Sequence, residues 1–162
     1  MTNLIGLRLA YRGFVTGLAA GYIWLATAMG IAALLEGDAL APLSPFAASV
    51  MAGDPTREAA FVLGFALVQL GSAVLGMLFA YFFGRFFTIR RTLAVAAPCF
   101  ALLAWALLAT LVSRGTGQAD IGTSVAPLLA TLAYGALLGA ALPVRGEVTR
   151  YPAPASSGSP VT

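Results

Sequence analysis

The sequence contains no histidine, and that absence removes a wide range of chemistry. Without imidazole the chain offers no His-ligated zinc, no His-ligated haem and no His-based general acid–base catalysis. Cysteine is nearly absent too. Cys99 stands alone, so an internal disulfide is impossible, and thiolate zinc or iron–sulfur sites would need ligands from another chain. It follows Pro98 within an apolar run and reads as a small buried thiol. Lysine is missing altogether; with the abundance of alanine, this reads as compositional bias and carries no function.

Charge is scarce as well. Charged residues make up 9% of the chain, where ordinary soluble domains carry about 25%. No carboxylate lies midway along a long apolar run, and proton-coupled transport depends on such a switchable acid. Glu36 comes nearest and reads as a solvated helix end. No nucleophile stands beside a base, so the expectation is a protein that is not an enzyme, with no catalytic residues, cofactor or metal.

What the chain has in quantity is apolar surface, at 60% of residues. Four charge-free runs supply it: Gly13 to Leu35, Ala59 to Gly84, Thr92 to Ser113 and Ile121 to Val144. Each reaches the roughly 20 residues that a bilayer-spanning helix requires. The spacing predicts spans over 13–35, 57–84, 92–113 and 122–142, within one membrane domain over 1–143. A signal-peptide cut after Ala26-Thr27-Ala28 is disfavoured, because the first run continues unbroken to Leu35. Residues 144–162 are rich in Pro, Ser and Gly and are expected to form a disordered tail.

Small residues recur four apart on three of these runs, so each set lies on one helix face. Gly13, Gly17 and Gly21 form the first stripe; Ser72, Gly76, Ala80 and Gly84 the second; Thr131, Gly135 and Gly139 the third. Such faces let helix backbones approach closely. Three stripes exceed the needs of one helix pair, so one of them is free to face a partner. Gln69 is the most informative polar residue within a span, as structural glue between helices or as a polar contact for a solute or lipid headgroup. Trp105 lies deep in its run and reads as packing.

The connections are short except for residues 36–58, where Ser44 as N-cap and Pro45 at the first helical position suit a short helix at the membrane surface, with a re-entrant segment as the alternative. Asp54 and Pro55 suit the N-cap and first turn of the second span, which the pattern extends to Phe87. The net charge of +3 reflects arginines at the helix ends, so a membrane topology explains it better than nucleic acid does. With four spans, Arg8, Arg12, Arg85, Arg90, Arg91, Arg145 and Arg150 share one side, and five of the six acids lie on the other. The positive-inside rule then puts both termini in the cytoplasm.

The opening Arg12-Gly13-Phe14 with Gly17 and Gly21, and the closing Ala133-Tyr134-Gly135-Ala136-Leu137-Leu138-Gly139, resemble the small four-helix bacterial membrane proteins of the YqhR-like type. The resemblance covers the four spans and implies a protein of the bacterial cytoplasmic membrane; it brings no activity with it.

The expectation is therefore an all-α integral membrane four-helix bundle with the lipid bilayer as its surroundings. Its expected role is that of a non-enzymatic structural or accessory component, packed through small-residue faces in a homo-oligomer or a larger membrane complex. The alternative is a small-solute or lipid-binding transporter or channel acting as an oligomer. A polar cavity around Gln69 and Glu36 would favour the alternative; a dry interior with an exposed glycine groove would favour the first.

Overall fold

Long apolar runs of Ala, Leu and Phe satisfy their backbone groups in hydrocarbon only by coiling into helices. The computed structural model of this chain, which describes residues 2–51, 56–84, 86, 90–116 and 124–142, is helical throughout and has no strand among those residues. Its elements are α1 (Thr2–Leu35), α2 (Ser44–Ala48), α3 (Arg57–Phe82), α4 (Arg90–Thr116) and α5 (Val125–Ala141). Three of them are long and apolar enough to cross a membrane: Gly6–Leu35 within α1, α3, and Arg90–Arg114 within α4. The fourth expected span is shorter than its apolar run. Helix α5 has 17 residues, about 26 Å and near the lower bound for crossing.

Several helix ends differ from expectation. The first helix begins at Thr2, well before the expected span start at Gly13, so Arg8 and Arg12 stand on helix. Leu, Ala and Arg all favour helix, and no proline interrupts them. The N-cap of α3 is Thr56, whose side chain accepts a hydrogen bond from the Ala59 N–H. Asp54 and Pro55 lie outside the described residues. At the other end α3 stops at Phe82, with Phe83 as C-cap, rather than at Phe87. Gly84, a poor helix former, follows at once. Ser44 is the first residue of α2 and not its cap; Leu43 takes that place without a side-chain bond. The expected tail over 144–162 lies outside the described residues.

Pro98 sits within α4 without ending it. Cys99 is exposed, which corrects its reading as a buried thiol. It shares an outward face with Val95 and Leu103, where a weakly polar thiol needs no buried partner.

Neighbouring helices run antiparallel. The pairs α1–α3, α1–α5 and α4–α5 pack extensively, whereas α3 and α4 barely touch. The perimeter therefore reads α3, α1, α5, α4, with a seam between the first and last. At one end of that seam Phe100 lies 5.1 Å from Phe79 and 5.6 Å from Phe83, ring centre to ring centre. At the other end α2 is tucked in, with Leu43, Phe46 and Ala47 buried. The antiparallel order gathers Arg8, Arg12, Arg90 and Arg91 at one end of the molecule. Glu36, Asp38 and Glu58 gather with Arg57 and Arg114 at the other.

Candidate functional site

The small residues on α1 and α3 face each other. A Cβ added to Gly13 would strike the Ala80 side chain and the Gly76 carbonyl; one on Gly17 would strike the Ser72 carbonyl. A Cβ on Gly21 would lie 2.6 Å from Gln69 Oε1 and 2.8 Å from Ser72 Cβ. Gly135 and Gly139 turn instead to α4, against Pro98 and Ala101 and against Leu93, Ala94 and Ala97. The missing side chain of Gly135 is what lets α5 approach the proline turn of α4. Gly84 joins neither seam: it lies beyond the α3 C-cap, and its nearest neighbour is the Ala80 carbonyl of its own segment. These glycine faces are consumed inside the chain.

Thr131 ties α5 to α1. Its hydroxyl accepts from the Trp24 indole N–H at 3.0 Å and donates to the Pro127 carbonyl at 2.7 Å. Tyr134, one turn on, donates to the Ser72 carbonyl of α3 at 2.8 Å, and both residues are buried. Gln69 is buried in the α1–α3 seam, and neither amide atom meets a hydrogen-bond partner. It does not line the cavity of the molecule, so it is not placed to contact a guest there.

That cavity lies where α3 and α4 fail to pack. It is a cleft of about 210 Å³, walled by Leu67, Val68, Gly71, Ser72 and Leu75 of α3 and by Ala101, Ala104, Trp105, Leu108 and Val112 of α4. Trp24 of α1, Phe46 of α2, Ser49 at its C-cap, and Thr131 and Tyr134 of α5 complete it. The spacings on α3 and α4 are helical, so each wall is one face of its helix. Trp24, Phe46 and Trp105 form an aromatic group with ring centres 5.8–6.2 Å apart. The Trp105 indole N–H is buried and has no hydrogen-bond partner.

The chemistry of this lining is narrow. It carries no charged residue, and the hydroxyls of Thr131 and Tyr134 are engaged with the protein itself. Glu36 is remote from it, accepting a hydrogen bond from Ser124 at the exposed helix ends. Among the described residues no group of His, Cys, Asp and Glu could hold a metal ion. What the lining offers is aliphatic and aromatic surface.

A model of a family of unknown function, DUF6789, matches residues 7–151. The chain belongs to that family. Neither a curated protein nor a solved structure matches it. In this DUF6789 member the match takes in the α1–α3 seam, α2, both walls of the cleft and all of α5.

Sequence reasoning missed two parts of this DUF6789 site. Gly64 receives the backbone and side chain of Leu43 and so admits the segment that carries α2. It lies in register with Ser72, Gly76 and Ala80, but Val68 interrupts the count of small residues. The aromatic group was missed because its members come from three separate elements, and no spacing in the sequence joins them.

Proposed function

We propose that this chain is a non-enzymatic integral membrane protein that binds an apolar guest from the bilayer in the cleft between α3 and α4. The cleft carries the reading. It is lined without charge, and its mouth opens beside Gly71 and Leu108, both exposed. The proposed architecture is a four-helix bundle of the bacterial cytoplasmic membrane, with α5 as the short fourth span and both termini cytoplasmic. The bonds of Thr131 and Tyr134 to α1 and α3 support the inclusion of α5. The arginine-rich end formed by Arg8, Arg12, Arg90 and Arg91 supports the orientation.

The accessory-component reading needs a small-residue face left over for a partner. Gly13, Gly17, Gly21, Gly76, Gly135 and Gly139 all meet neighbours within the chain, so it draws no support from them. The transporter or channel form of the alternative lacks a polar path through the cleft. Binding is the part of it that the geometry favours.

The test is purification from host membranes in mild detergent, then solvent extraction and mass spectrometry of what remains bound. The wild-type chain is expected to retain an apolar molecule near one per chain, and Ala104→Phe, which fills the cleft, to lose it. Equal retention by both would sink the reading. Recovery within a larger membrane complex, with no bound guest, would return the accessory role.

A further inference from the structure

We propose that the guest is one hydrocarbon chain of a bilayer phospholipid, entering sideways between α3 and α4; this rests on the binding role just assigned to the cleft. Four observations converge. The cleft is shut at one end by Phe46 of α2 and at the other by the Phe79–Phe100–Phe83 contact. A guest must therefore come through the flank. The lips of that flank are the exposed Gly71 and Leu108, and exposed aliphatic side chains stand beside them, Val74 and Leu78 on α3 and Leu107 and Leu111 on α4. In a bilayer these lips stand in hydrocarbon, where acyl chains are the most concentrated apolar species.

The dimensions fit one chain. From Ala101 to Val112 the α4 wall runs about 16 Å, the depth of one leaflet of a hydrocarbon core about 30 Å thick. A volume of about 210 Å³ drawn out over that length is narrow. It exceeds the roughly 150 Å³ apolar cavity that holds a benzene but falls short of the roughly 300 Å³ where ordinary ligand pockets begin. The lining chemistry agrees: no charge awaits a headgroup, and the engaged hydroxyls of Thr131 and Tyr134 leave methylene and aromatic surface.

The wall also supplies its own reporter. The chain has two tryptophans, Trp24 and Trp105, and both line the cleft while being only 5% and 7% exposed. Both lie near mid-helix in their spans, so the distal part of an acyl chain is the part that reaches them. The experiment is tryptophan emission of the full chain in vesicles of phosphatidylcholine brominated near the chain end or near the glycerol. Distal bromines are expected to remove more than half of the wild-type emission and proximal bromines much less. Filling the cleft with Ala104→Phe, or independently with Gly71→Leu, is expected to restore most of it. Bromobenzene in unlabelled vesicles separates the two readings. Quenching by bromobenzene but not by brominated lipid overturns the acyl-chain assignment and leaves a smaller apolar guest. Quenching by neither, with emission equal in wild type and filled variants, overturns both. Loss of lipid quenching only when chains are crowded in the vesicle would replace the acyl chain by a second copy.

Discussion

At the scale of single residues, two polar side chains within the apolar interior, Thr131 and Gln69, behave differently, and the difference is measurable. Thr131 is satisfied twice, by the Trp24 N–H and by the Pro127 carbonyl. Removing its hydroxyl with Thr131→Val keeps the shape and leaves the indole N–H of Trp24 without its acceptor. Interhelical bonds in membranes contribute about 0.6 kcal/mol on average and at most about 1.7, and an orphaned buried donor adds to the loss. Thr131→Val is therefore expected to destabilise by about 1 kcal/mol, read from unfolding in mixed detergent micelles. Gln69 is the reverse case, since its amide is buried against Gly21 with no partner for either atom. Gln69→Met keeps an unbranched chain in the same space and removes two unsatisfied atoms, so it is expected to raise stability by about 1 kcal/mol. A Gln69→Met variant less stable than wild type would show that the amide has a partner, and the seam would then need redrawing.

At the scale of elements, the seam between α1 and α3 depends on the absence of side chains. Gly17 faces the Ser72 carbonyl, and Gly76 in turn faces Gly13 and Gly17, so the two backbones are in direct contact. Gly30 lies on the same helix with nothing within 4 Å of its added Cβ. Gly17→Val is expected to destabilise by about 2 kcal/mol or more, because backbone cannot yield as a flexible side chain can. Gly30→Val serves as the control and is expected to stay within about 0.5 kcal/mol of wild type. Equal effects would mean that helix propensity, not the close approach, governs both. The all-helical fold was legible in the sequence because uninterrupted apolar runs leave few alternatives, and helix periodicity is a local property. The cleft was not, because it follows from which two helices fail to touch. That is set by Pro98 meeting Gly135, by Tyr134 reaching across to Ser72, and by the packing of Phe46 against both Trp24 and Trp105. No single stretch of sequence contains any of these pairs. The burial of Leu43 against Gly64 likewise brings the segment that reads as interfacial or re-entrant into the helical interior.

At the scale of the whole molecule, the distribution of charge and the position of the cleft bear on each other. The arginines Arg8, Arg12, Arg90 and Arg91 mark one end, and the acids Glu36, Asp38 and Glu58 mark the other, where the Arg57–Asp38 pair at 3.5 Å is fully in solvent reach. An exposed pair of that kind contributes little to stability. The value of this end lies elsewhere: it carries α2, and α2 closes the cleft. If the arginine end faces the cytoplasm, as the positive-inside rule favours, the cleft runs from the bilayer midplane toward the outer surface, and the proposed acyl chain would come from the outer leaflet. The orientation can be tested without reference to binding, on a Cys99→Ser background that removes the native thiol. Asp38→Cys is expected to react with a membrane-impermeant maleimide added to intact cells from which the outer membrane has been removed. Arg91→Cys is expected to react only after the inner membrane is opened. The opposite pattern would invert the molecule, and the cleft would then open toward the inner leaflet, so brominated lipid confined to one leaflet would have to be supplied from the cytoplasmic side to reach Trp24 and Trp105.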